Sequence, residues 1–203
     1  MNSYSHLHVS AIILKKLKSE YGICLPAVVF STANCRPDYS IKYKRHPHYK
    51  DDMYGIIQQM LRELAQSNKA KMNRVFLADR LGVICHYLCD FFCYAHTERF
   101  QGGLKEHIRY EAELNHYIKQ RRHICESVNF LSGMQLSSSI DDVLQRLDDH
   151  LQDYYSLSIS CGFDMVCAIQ ACMEVLVQML YIVICKRQLN AKCILEPSRL
   201  LCL

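Results

Sequence analysis

Glycine and proline are scarce in this sequence, seven and four among 203 residues, and apolar residues alternating at every second position are rare. Those absences argue against strands joined by tight turns. No CxxC pair occurs despite twelve cysteines, which leaves a zinc-finger reading without support. No block of five or six like charges is present, and a net charge of +4 gives no reason to expect strong nonspecific binding of nucleic acid. The opening stretch, MNSYSHLHVSAIILKKLKSEYG, lacks a signal-peptide pattern. Its basic residues follow the apolar run, and no small-residue cleavage site comes after them. Internal repeats and low-complexity tracts are missing as well.

What is present fits one domain, residues 1–203, long enough for a substantial core. Half of the residues are apolar and 22% are charged, the usual mix for a globular chain. Apolar positions recur at spacings of three and four, so the expected fold class is all-α, a single multi-helix domain. Helices are expected over 6–20, 50–67, 69 or 70 to 94, 104–122, from 140 onward with Ser139 as N-cap, and 163–187. Residues 21–48, with Pro26, Pro37 and Pro47, read as an irregular connection, and connections of that length are often functional. The segment 165–185 is the most apolar. Gln170, Glu174 and Gln178 interrupt it at helical spacing, so it reads as a buried core helix and no transmembrane segment is expected. Cys85, Cys89, Cys93, Cys167, Cys172 and Cys185 lie in apolar helical stretches. They read as reduced, buried small hydrophobes, which suits a reducing, cytoplasmic compartment. The basic runs KKLK and KQRR read as solvated faces or charges at helix C-termini. His8, His116, His123 and His150 read as surface or partly buried residues.

The chemistry concentrates in ICHYLCDFFCYAHTE, residues 84–98. Residues four apart on a helix lie roughly 40° apart around it and about 6 Å along it. His86 and Asp90 therefore share one face of an otherwise apolar helix. A buried carboxylate is costly unless it is paired or coordinates a cation, so Asp90 needs a partner: His86, a Lys or Arg from elsewhere, or a metal. His107 and Glu111 repeat the spacing, and His48 with Asp52 form a third formal pair at the start of a helix. Imidazole with carboxylate and no thiolate suits zinc, or less specifically manganese or iron. Several such ions close together would generate hydroxide at neutral pH and clamp both oxygens of a phosphoester.

SHLHVSAII, the Pro-Asp of RPDY, HYK, HYLCDFFCYAH and HIRYE occur in an order and spacing that resembles the zinc-dependent phospholipase C family, distant relatives of the zinc-dependent single-strand nucleases. The resemblance runs from residue 1 to about 115. It implies an all-helical fold with a metal cleft between helices and two or three zinc ions as cofactors. One ion would take Asp38, His48, His86 and Asp90, and a second His96, His107 and Glu111. A third would take His6, the shared Asp90, and the amine and carbonyl of Met1. The implied activity is that of a phosphodiester hydrolase in which zinc-bound hydroxide attacks phosphorus. Asp38 and Asp90 would be the catalytic carboxylates, Asp38 assisting as a base. Tyr39 sits where family members place a Tyr near a cationic headgroup, and the implied substrate is a phospholipid or another phosphodiester. Three departures stand out. Met1 replaces the N-terminal Trp of secreted members, Tyr94 replaces a proline and lets its helix run on toward His96, and His46 competes with His48 as a ligand. The competing readings are a nuclease on the same centre, a non-enzymatic metal-binding helical protein, and a helical core whose polar residues pair with each other.

Overall fold

A computed structural model describes residues 1–40, 48–67, 73–131, 133–157 and 159–189. These residues form seven α-helices and one 3-10 turn, with no strand among them. Helix α1 (Ser3–Tyr21) starts where the Asn2 side chain accepts the amide of Ser5, and it stops at Gly22, whose φ of 65° turns the chain left-handed. Part of the connection expected over 21–48 is instead a helix, α2 (Ala27–Tyr39). Helix α3 (Lys50–Gln66) carries Asp51 and Asp52 in its first turn, and α4 (Arg74–Phe91) is capped by Asn73 through the amide of Phe76. A 3-10 turn (Tyr94–His96) follows. Then come α5 (Leu104–Ser127), α6 (Ile140–Ser156), capped by Ser139 as the sequence predicts, and α7 (Cys161–Leu189).

The fold departs from the sequence expectation in three places. The stretch read as irregular holds α2, because its prolines sit where a helix tolerates them. Pro26 precedes the first turn, where its missing amide is not needed, Pro37 lies in the last turn, so that little helix follows it, and Pro47 lies outside the described residues. Helix α4 does not run on to residue 94. It ends at Phe91, and Cys93 adopts an extended conformation. Lys16, read as part of a solvated face, is 2% exposed. Its ammonium bonds the Glu20 carboxylate and the carbonyls of Glu126 and Val128, so it satisfies the C-terminal end of α5 rather than that of its own helix.

Helix α2 lies along α4 in the closest helix pair of the fold, while α1 packs on α2 and α5, and α7 packs on α4, α5 and α6. The contact between α2 and α4 needs Gly82. A Cβ there would lie 2.5 Å from the Phe30 carbonyl oxygen and 2.7 Å from the Ala33 Cβ. Helix α7 is long and apolar enough to cross a membrane, but its most apolar window is 72% buried among the other helices, as expected of a core helix. The described cysteines are free thiols; Cys35, Cys85, Cys89, Cys93, Cys125 and Cys172 are buried, whereas Cys167 and Cys185, expected to be buried, are only partly so.

Candidate metal centre

The fold brings side chains from five separate segments to one point at Asp90. Asp90 is fully buried in the last turn of α4, and its two carboxylate oxygens face different neighbours. Oδ2 lies 2.9 Å from His48 Nδ1 and 3.3 Å from His86 Nε2. Oδ1 accepts from the Met1 amine and lies 3.3 Å from His6 Nε2 and 3.9 Å from His96 Nε2. No Lys or Arg is among these neighbours. The spacing of four between His86 and Asp90 thus puts both at one point, as helix geometry requires.

The other candidates come from several different elements. His6 comes from the inner face of α1, where Ser5, Val9 and Ile13 are also buried. Asp38 comes from the last turn of α2. Its Oδ2 accepts from Ser3 Oγ at 2.6 Å, while Oδ1 stands 3.7 Å from His86 Nε2 and 3.9 Å from His48 Nδ1. His48 precedes α3. It turns to Asp90 rather than to Asp52, which is exposed, so the third formal pair does not assemble. His96 leaves the 3-10 turn with Nε2 3.0 Å from Glu111 Oε1, and His107, one turn earlier on α5, approaches the same oxygen at 3.4 Å. The Met1 amine lies 2.9 Å from His96 Nε2 and 3.3 Å from Glu111 Oε1. Tyr39 is 68% exposed. His46 lies outside the described residues.

Three groups gather donor atoms within 4.8 Å of one another: His6, Asp38 and His86; His48, Asp90 and His96; and His96, His107 and Glu111. The donors suit a borderline cation such as zinc, being imidazole nitrogens and carboxylate oxygens without thiolate. The protonation pattern of the metal-free chain differs from residue to residue. Burial alone would raise the Asp90 carboxyl, but His96, the amino terminus and His86 outweigh it and hold it well below the usual carboxylate range. Burial and the charge of His6 push the His86 imidazole well down. Its Nδ1 lies 2.7 Å from the Asn34 carbonyl oxygen, which can only accept, so Nδ1 carries the proton and Nε2 presents a lone pair to the cluster. Burial would lower His6, yet Asp90 more than reverses that and raises it to about 9. The approach of His6 to Asp90 is too poorly directed for a hydrogen bond, so both ring nitrogens of this fully buried histidine lack a hydrogen-bond partner. An unsatisfied buried imidazole is costly, and a cation between it and Asp90 would satisfy it. The residues present therefore fit zinc.

His96 and His107 also border a surface cavity of about 880 Å³. Tyr49, Phe100, Leu104 and Tyr155 give it apolar walls, and Asp51, Asp52, Glu98 and Lys50 give it charge. Three contributors were invisible to sequence reasoning. Asn34 orients His86 through its carbonyl and bonds the His6 carbonyl and Ser10 Oγ through its amide nitrogen. Ser3 holds Asp38. Asp164, in the first turn of α7, accepts the amide of Tyr94 at 2.8 Å and so takes away the bond that would have continued α4. With Tyr94 in place of a proline, His96 still turns to Glu111.

Comparison with curated proteins and with solved structures returned no significant match. The family profile described as zinc dependent phospholipase C matches residues 5–161, a span that contains every candidate donor except those of Met1. With that match over most of its length, an all-helical fold and a cluster of imidazoles and carboxylates at its centre, the chain belongs to the zinc-dependent phospholipase C family.

Proposed function

We propose that the protein is a zinc-dependent phosphodiester hydrolase of phospholipase C type, with a phospholipid or related phosphodiester as substrate. The observation that carries this reading is Asp90: a fully buried carboxylate whose two oxygens face two different sets of imidazoles, one of which includes His6, whose ring makes no well-directed hydrogen bond. That arrangement supports Asp90 as a ligand shared between two ions. Asp38, His48 and His86 would complete one set beside Oδ2, and His6 with the Met1 amine the other beside Oδ1. His96, His107 and Glu111 would form the remaining set. Zinc, when bound, supplies water acidic enough to attack phosphorus at neutral pH and positive charge against the phosphoryl oxygens.

The chain's own residues prepare the site in other ways. Asn34 fixes the tautomer of His86, and Ser3 holds one Asp38 oxygen, leaving the other turned toward His48 and His86. Asp38 is the residue placed to take a proton from an attacking water, because it is 18% exposed whereas Asp90 is fully buried. The cavity beside His96 and His107 offers room for a phosphodiester and its substituents. Tyr39, exposed directly after Asp38, is available to a cationic headgroup.

Elemental analysis of protein purified without chelator, paired with assays on a nitrophenyl phosphorylcholine, phosphatidylcholine and single-stranded DNA, tests the proposal. Two or three zinc ions per chain and metal-dependent release of nitrophenol support it. Preference for the DNA would indicate the nuclease, and zinc uptake without turnover a non-enzymatic metal protein. Absence of zinc after reconstitution would overturn the reading.

A further inference from the structure

Asp164 is completely buried and lies beyond the residues that the family profile matches. Its carboxylate has three donors. Oδ2 accepts from the Tyr94 amide at 2.8 Å and from the Tyr110 hydroxyl at 2.7 Å, and Oδ1 accepts from the Tyr154 hydroxyl at 2.8 Å. Two of these donors sit beside candidate ligands. Tyr94 opens the 3-10 turn that ends in His96. Tyr110 lies on α5 between His107 and Glu111. The Tyr94 and Tyr110 rings also meet edge to face, with centroids 5.4 Å apart. A single oxygen atom therefore joins the two elements that carry His96, His107 and Glu111. On its other side the turn is tied to α4 by the Cys93 amide, which donates to the Asp90 carbonyl at 3.1 Å.

We propose that Asp164 is a positioning residue for the metal site formed by His96, His107 and Glu111: through Tyr94 and Tyr110 it fixes the distance between the turn and α5 on which that donor set depends. The inference rests on the zinc reading given above. Asp164 touches no ligand atom and no substrate; it acts through the backbone of the turn and the Tyr110 hydroxyl. A charged carboxylate suits the task, since charge-assisted bonds to amide and hydroxyl donors are shorter and stronger than neutral ones. Partners bonded directly to a ligand commonly govern affinity about 10- to 100-fold; Asp164 acts one residue further out, so its effect belongs at or below the lower end of that range.

The test is a stepwise zinc titration of the metal-free full chain against a chromophoric chelator. It compares wild type, Asp164→Asn, Tyr110→Phe, Tyr154→Phe and His107→Ala. The step lost in His107→Ala identifies the site of His96, His107 and Glu111. Asp164→Asn is expected to weaken that step by up to about 10-fold and leave the other steps unchanged, with Tyr110→Phe moving the same step less far. Tyr154→Phe removes a bond that reaches neither ligand-bearing element, so it should lower the melting temperature without selecting among the steps. If Asp164→Asn does not fold, Tyr110→Phe against Tyr154→Phe makes the same comparison. Equal weakening of every step in Asp164→Asn, or no change in any, would overturn the positioning role while leaving the zinc reading intact. Wild-type protein that takes up no zinc would overturn both.

Discussion

Replacing Asp90 with Asn removes one negative charge from between the Met1 amine, His6, His48, His86 and His96. In the metal-free chain this leaves the buried ammonium with only Glu111, 3.3 Å away, as counter-charge, and breaking such a buried pair costs about 3–5 kcal/mol at most, to be read from urea unfolding. Zinc content by elemental analysis should fall with it, because the two sets of donors lose their shared member. Unchanged zinc would refute the central place given to this carboxylate. The pairs His86 with Asp90 and His107 with Glu111 were legible in the sequence because a spacing of four is a local property of a helix. His6, Asp38, His48 and Met1 carry no such mark. They come from distant positions, and only the family resemblance grouped them. The same spacing misled at His48 and Asp52, since His48 lies before the helix begins and turns elsewhere. Asn34, Ser3 and Asp164 had no signal at all: they work through single hydrogen bonds to backbone groups or side chains, which leave no periodic trace.

At the scale of elements, the contact of α2 with α4 is the one to perturb. Gly82→Ala would set a methyl group against the Phe30 carbonyl and the Ala33 side chain. Overpacking of that kind costs about 1–3 kcal/mol, measurable by chemical denaturation. Because α2 also carries Asn34 and Asp38, zinc affinity should weaken in the same variant; full affinity would mean that the helix pair can spread without moving these residues. A second test concerns α6 and α7, joined by His150 Nε2 and Glu174 Oε2 at 2.8 Å. The hydrogen bond to Glu174 raises the His150 imidazole above its usual value, against the opposing effect of burial. A raised folded value means stabilisation that is complete below about 6.5, the unfolded value, and is lost as pH climbs through the folded one. The melting temperature of wild type should therefore exceed that of His150→Gln most at about pH 6, with the gap closing toward pH 9. A gap that widened with pH would contradict it. The helices were mostly legible from their periodicity and caps, as at Ser139. Helix α2 was not, since its prolines suggested a loop, and neither was the end of α4, which is set by a carboxylate far away in the sequence.

For the whole molecule, metal and stability should be linked. Zinc at about a thousand times its dissociation constant stabilises a folded state that alone binds it by about 4 kcal/mol. In a domain of this size each kcal/mol moves the melting temperature by about 2–4 °C. Calorimetry with and without chelator should thus differ by about 8–16 °C, and identical transitions would deny any ion a place in the fold. The division of labour along the chain is uneven. Candidate donors end at Glu111, while the clasp on the 3-10 turn waits at Asp164, some fifty residues further on. On the ribosome that interval lasts about 3–10 s at ordinary rates of synthesis. Throughout it the amide of Tyr94 has no carboxylate to bind, and nothing prevents the nascent α4 from lengthening through it. If Asp164 has the positioning role proposed for it, the geometry around His96 is completed last, by a helix translated after every candidate donor and contributing none of them.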